Sequence, residues 1–184
     1  MSNKRTELEK KAANAVQQIG LSNLSFRTLA DEAGIKSSSV HYYFPEKAHL
    51  ANAIISNYTQ QFNEKLVDIS QKKISPLKKL ESFIQIFEGV VNDNKFCLCG
   101  MMAAEVASLQ DESRKLLDHY FTTVEDWLCE IFKDSKEQLC IDIKPRQLAR
   151  IVMSGLEGAI LIDRVEGKSN RLRAQRELIR NLFQ

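Results

Sequence analysis

Apolar residues return every three or four positions along almost the whole chain, the period that gathers them on one face of an α-helix. Leu8, Ala12, Ala15, Val16 and Ile19 make the first stripe, and Gly20 closes it. Ser25 is placed as the N-cap of a second helix, with Leu24 and Leu29 disposed around it as a hydrophobic staple. Phe26, Leu29, Ala30 and Ala33 give that helix two turns, ended by Gly34. A short third helix is predicted over residues 36–43, and Pro45 interrupts. A long helix follows, with Leu50, Ile54, Tyr58, Phe62, Leu66 and Ile69 along one side.

The remainder continues in the same way. Ser75-Pro76 is a cap followed by proline at the first helical position. Leu77, Leu80, Ile84, Phe87 and Val91 form the buried stripe beyond it, which Asn92-Asp93-Asn94 breaks. Met101, Ala104 and Val106 predict a short helix, and Asp111 caps a longer one bearing Leu117, Tyr120, Phe121, Val124, Trp127, Leu128 and Ile131. Pro145 opens a helix through Leu148, Ile151, Val152, Gly155 and Ala159 that stops near Gly167. Ser169 caps the last, which carries Leu172, Ile179, Leu182 and Phe183. The predicted fold is all-α, with a three-helix unit over residues 1–46 and a larger helical unit over residues 47–184.

Composition agrees with this picture. Of 184 residues, 43% are hydrophobic and 27% charged, a balance unlike disorder or a membrane protein. The longest apolar runs, such as Ala159-Ile160-Leu161-Ile162, fall far short of the ~20 residues a spanning helix needs. The opening MSNKRTELEKK has no apolar segment, so it does not read as a secretory signal. Four cysteines without an export signal predict reduced thiols in a cytoplasm. The net charge is only +2, but residues 164–184 hold six basic groups against two acidic ones. Such an end is either a phosphate-facing patch or a solvated helix face.

Residues 26–45, FRTLADEAGIKSSSVHYYFP, fit a helix-turn-helix. Ala30 is small where two helices cross, and Gly34 permits a positive φ in the turn. Leu29, Ala33, Ile35, Val40 and Tyr43 fall where the two helices bury side chains against each other. Lys36, Ser37, Ser38, Ser39, His41 and Tyr42 then project outward, and a helix lined this way can enter a major groove about 12 Å wide. The competing interpretation is a plain helical hairpin with a polar outer face.

From about Glu7 to Ile54 the chain resembles the DNA-binding domain of the TetR/AcrR family of bacterial transcriptional repressors. The resemblance is carried by Leu29-Ala30-Asp31-Glu32-Ala33-Gly34-Ile35, then Val40-His41-Tyr42-Tyr43-Phe44-Pro45, then Lys47 and Leu50. It implies that the short third helix reads bases, that Tyr42 and Lys47 hold phosphates, and that Thr28 makes a further backbone contact. His41 departs from the family pattern, in which many members carry Tyr. Residues 1–46 are then the DNA-binding domain, and 47–184 a regulatory and dimerisation domain.

One short helix makes only a few base contacts, each worth about 1–3 kcal/mol. Two heads on a twofold axis are therefore expected to read a palindromic operator, with half-sites ~34–36 Å apart or a multiple of that. The homodimer contact is expected on the last two long helices. There Gly155, Gly158 and Ala159 allow close backbone approach beside Leu156 and Ile160, unless the same residues pack internally. An unidentified small-molecule effector, or modification of a thiol, is expected to tilt the long helix at residues 47–70 and lower operator affinity.

Phe96-Cys97-Leu98-Cys99-Gly100 is similar to a Cys-containing loop found in a branch of these repressors, some of which respond to electrophiles or oxidants. Cys99, ahead of a predicted helix start and near Lys95, would be the activated thiol, with Cys97 resolving it; two small buried hydrophobes are the alternative. The resemblance also implies an effector pocket, for which Phe83, Phe87, Met102, Tyr120, Phe121 and Trp127 are candidates. No metal or cofactor is expected, because Cys97-x-Cys99 is too closely spaced and Cys129, Cys140 and His119 offer no second pair. No enzyme is expected either. The S-x-x-K matches at Ser70 and Ser75 lack companion motifs, and the chain has no phosphate-cradling glycine loop. The alternative to a repressor is a helical protein–protein interaction module without DNA binding.

Overall fold

The N–H of Thr28 donates to Ser25 Oγ at 3.0 Å, and the N–H of Ser25 donates to Thr28 Oγ1 at 3.3 Å. This reciprocal cap satisfies two orphan donors and starts a helix of only seven residues where the sequence places it. The computed structural model describes residues 3–183, and the helical period becomes nine α-helices among them. They are α1 (Asn3–Ile19), α2 (Phe26–Glu32), α3 (Ser37–Tyr43), α4 (Lys47–Gln71), α5 (Pro76–Asn92), α6 (Leu98–Ala104), α7 (Asp111–Asp134), α8 (Pro145–Glu166) and α9 (Asn170–Asn181). Single 3₁₀ turns follow α6 and α7. No described helix is long and apolar enough to cross a membrane.

The chain packs as two units. The first runs through Gln60 and includes Leu98–Tyr120; the second comprises Gln61–Cys97 and the chain from Phe121 onward. This division differs from a cut after residue 46. In the first unit α6 packs on α1, and the first half of α4 contributes Leu50, Ala51, Ile54 and Ile55, all buried. The polar tie is Glu9, which accepts from Arg5 Nε at 3.0 Å and from Asn57 Nδ2 at 2.7 Å. Leu8, Ala12, Val16, Leu29, Val40 and Phe44 complete this core.

In the second unit α5 starts at a Ser75 cap with Pro76 in its first turn, and buries Leu80, Phe83, Ile84 and Phe87. Phe62, Phe83, Phe87 and Trp127 form one aromatic cluster, with ring centres 5.3 Å apart for Phe83–Phe87 and Phe83–Trp127. The Trp127 indole N–H donates to Ser70 Oγ at 2.7 Å. α8 and α9 form a hairpin whose turn Gly167 makes with φ +64. Ser169 stands at the N-cap of α9 but makes no side-chain cap bond. Asp163 of α8 does that work: its Oδ1 accepts the N–H of Arg171 at 3.0 Å and its Oδ2 that of Leu172 at 2.9 Å.

Candidate nucleic-acid interface

The turn between α2 and α3 is built on Gly34, whose φ of +63 any β-carbon would strain. The N–H of Ile35 returns to the Ala30 carbonyl at 3.0 Å, and that of Gly34 to Asp31 at 3.2 Å. α3 leaves this turn with Val40 fully buried and Phe44, just past its end, buried beside it. Those two side chains fix which way the helix faces. Lys36, Ser38, His41 and Tyr42 stand in solvent, while Ser37 and Ser39 are half-buried at the flanks. Tyr42 is 82% exposed, which leaves its ring and hydroxyl open to a partner. His41 lies edge-on to Phe26 with ring centres 4.8 Å apart, so α2 sets the imidazole's position. Tyr42 lies edge-on to Tyr43 at 5.2 Å.

Two flanking candidates already have partners inside the chain. Thr28 Oγ1 donates to the Ser25 carbonyl at 2.9 Å, so its hydroxyl proton belongs to the cap of α2. Lys47, the first residue of α4, donates from Nζ to the Ser22 carbonyl at 3.2 Å. Burial pulls the Lys47 ammonium below the ordinary lysine value, and the Glu105 carboxylate opposes that pull. A cleft of about 290 Å³ opens beside it between Leu21, Ser22, Leu109 and Ser113.

Glu105 is a member of this site that sequence reasoning missed. Its Oε2 accepts the Ser22 N–H at 2.9 Å, from 83 residues away. A β-carbon on Gly20, itself at φ +83, would collide with the same carboxylate. The glycine therefore serves two needs: a left-handed turn after α1 and room for Glu105. No local pattern signals such a contact.

Residues 10–54 match the family described as bacterial regulatory proteins, tetR family. Residues 76–177, more than half the chain, match the C-terminal domain of LmrA/YxaF-like transcriptional regulators. The chain belongs to the TetR family. As a TetR-family protein it is a DNA-binding transcriptional regulator, and it has repressors among its relatives. It is 27% identical over 154 residues to the transcriptional regulator AcuR of Cereibacter sphaeroides, spanning 80% of this chain and 70% of that protein. It is 28% identical over 118 residues to the HTH-type transcriptional repressor KstR2 of Mycolicibacterium smegmatis, spanning 64% of this chain and 53% of that one. A crystal structure of a TetR transcriptional regulator from Legionella pneumophila superposes with a TM-score of 0.92 at 28% identity, covering 100% of this chain and 99% of the other.

In this TetR-family regulator the six effector candidates do not share one unit. Met102 and Tyr120 belong to the first, where the Tyr120 ring lies 5.7 Å from Tyr58. Phe83, Phe87, Phe121 and Trp127 belong to the second, where Phe83, Phe87 and Trp127 are members of its aromatic cluster. Leu156, Ala159 and Ile160 are buried in the chain's own core, and a β-carbon at Gly155 would meet Gln175 at 2.7 Å. Gly155 thus lies against the Gln175 side chain of α9 in its own chain. Of the set only Gly158 faces open space. The outward apolar residues of α8 are instead Ile151, Leu161, Ile162 and Val165, the last 86% exposed.

The cysteines also lie differently from expectation. α6 begins at Leu98, so Cys99 is inside the helix rather than ahead of it, and both Cys97 and Cys99 are buried. Lys95 is engaged with Asp93 at 3.4 Å. Cys129 is buried as well, and Cys140 is exposed, its thiol directed at the Asn181 carbonyl at 3.0 Å. Titration of the native regulator with a chromogenic disulfide is expected to show one thiol reacting fast and the others only on unfolding. Loss of the fast phase in Cys140→Ser assigns it; an equally fast second phase would mean that Cys97 or Cys99 is accessible.

Proposed function

We propose that this regulator acts as a homodimeric repressor that reads a palindromic operator through α3 and lets go when a small molecule binds. The observation that carries the reading is the solvent-facing set Lys36, Ser38, His41 and Tyr42 on a helix anchored by Val40 and Phe44. Ser37 and Ser39 line the edges of that surface, and Arg27, exposed on α2, adds a cation next to Thr28. Lys47 joins the phosphate contacts by exchanging the Ser22 carbonyl for DNA. Thr28 reaches a phosphate only as a weaker contributor, since its hydroxyl proton is committed to the cap. The outer face of α8, with Ile151, Gly158, Leu161, Ile162 and Val165, supports pairing with a second copy about a twofold axis. An effector that shifts the second half of α4 moves Lys47 with it, because α4 is one continuous helix of 25 residues. Such coupling is usually worth about 1–3 kcal/mol.

Selection of bound fragments from genomic DNA tests the reading directly. The expected outcome is an inverted repeat with a half-site spacing near one helical turn or a multiple of it; recovery of no enriched sequence overturns it. Tyr42→Ala is expected to weaken binding by about 1–2 kcal/mol on every sequence, because a phosphate contact positions without discriminating bases. Its thermal midpoint should stay unchanged, as this ring is in solvent. A loss confined to one base position would assign Tyr42 to base reading instead.

A further inference from the structure

Ser22 is gripped at both ends. Its N–H donates to Glu105 Oε2 at 2.9 Å, and its carbonyl accepts from Lys47 Nζ at 3.2 Å. One residue between α1 and α2 thus joins a carboxylate just past α6 to the ammonium that opens α4, all within the first unit. The carboxylate is fixed through its own backbone. The Glu105 carbonyl accepts the Ser108 N–H at 2.9 Å and the Ser108 hydroxyl at 2.8 Å. On its other side, Gly20 leaves it the space that a β-carbon would take.

The charge on Glu105 is not neutralised by contact. Glu81, Glu88 and Glu166 each meet an arginine within 2.7 Å, whereas Glu105 has no ion pair among the described residues. The cation it acts on is Lys47, at longer range. Half-burial disfavours the Lys47 ammonium, and the Glu105 carboxylate offsets that loss. An opposite charge a few ångströms beyond contact is worth about a factor of three in an equilibrium, even in water-like surroundings.

We infer that Glu105 is a positioning residue for the phosphate contact of Lys47, holding the ammonium on Ser22 so that operator DNA must compete for it. The inference rests on the reading of Lys47 as a phosphate contact. A phosphate draws Lys47 off the Ser22 carbonyl and leaves a carboxylate deprived of its counter-charge. That loss arises only in the complex, so Glu105 is a brake on DNA binding rather than a support for it. Two heads on one operator apply the brake twice.

Glu105→Gln tests this, because the amide oxygen still accepts the Ser22 N–H while the charge is gone. By fluorescence anisotropy at about 50 mM salt, the variant is expected to bind the selected operator about tenfold more tightly than the native protein, about threefold per head. In a Lys47→Ala background the same substitution is expected to change affinity by less than about twofold. An equal gain in both backgrounds would mean that Glu105 merely repels DNA, and weaker binding in Glu105→Gln would make it a support of the head; either overturns the inference. A second readout needs no DNA. Limited acetylation with acetic anhydride, followed by peptide mass spectrometry, is expected to label Lys47 about threefold faster in Glu105→Gln than in the native protein, with exposed Lys36 as the internal reference. An unchanged Lys47 rate overturns the hold itself. Faster labelling in a protein that binds no DNA keeps the hold on Lys47 but removes the phosphate contact, and with it the brake.

Discussion

Operator affinity is expected to fall about a thousandfold when salt is raised from roughly 50 to 200 mM. The estimate comes from the cations that the reading head presents. Arg27 and Lys36 are exposed, and Lys47 is half-buried on the Ser22 carbonyl. Two heads bring about six cations to phosphates, and each displaced counterion adds ~0.9 to the slope of log affinity against log salt. The total is a slope of about −5. Fluorescence anisotropy across a salt series measures it, and Lys36→Ala should reduce the slope by about 2, one per head. The magnitude also decides the fate of Lys47. If its ammonium stays on Ser22 in the complex, only about four cations count and the slope falls nearer −4. A slope near zero would remove DNA phosphates from the account and leave an interaction module in their place.

Glu157→Gln is expected to stabilise the protein by about 3 kcal/mol at pH 8 while leaving it nearly unchanged at pH 4. Burial raises the Glu157 carboxyl from 4.5 to about 7, with the Cys97 thiol pulling weakly the other way. Between those two values the folded chain holds a proton that the unfolded chain has released. Stability from this group is therefore fully present below about 4.5 and is lost as the pH rises to about 7. The glutamine variant has no proton to lose, so its profile should run flatter across that window. Urea melts of both proteins at several pH values measure the difference. Parallel profiles would show that the carboxylate is charged in the folded protein, with a partner that compensates it.

The helices and the reading head were legible because their signals are local. Ser25, Thr28, Leu24 and Leu29 form a cap and staple within six positions, and Gly34 marks a left-handed turn whatever lies around it. Periodicity told which side of α3 faces outward because that helix is apolar on one side only. α8 defeated the same reasoning. It carries apolar residues around most of its circumference, so spacing could not separate buried Leu156 and Ile160 from exposed Leu161 and Ile162. The Glu105–Ser22 contact and the Asp163 cap depend on where the chain returns in space, which no window of residues encodes. The division into compact units is likewise non-local: α4 runs on past residue 46, and α6 comes back to α1. The cysteines were judged on neighbours in sequence, whereas their burial is set by packing.

The chain has a single tryptophan, and Trp127 sits in the aromatic cluster of the second unit with its N–H on Ser70. Its emission is therefore a private reporter of that unit, deaf to the reading head. Circular dichroism, by contrast, sums every helix. The two signals followed together in one denaturation distinguish a chain that melts in a single step from one whose halves give way in turn.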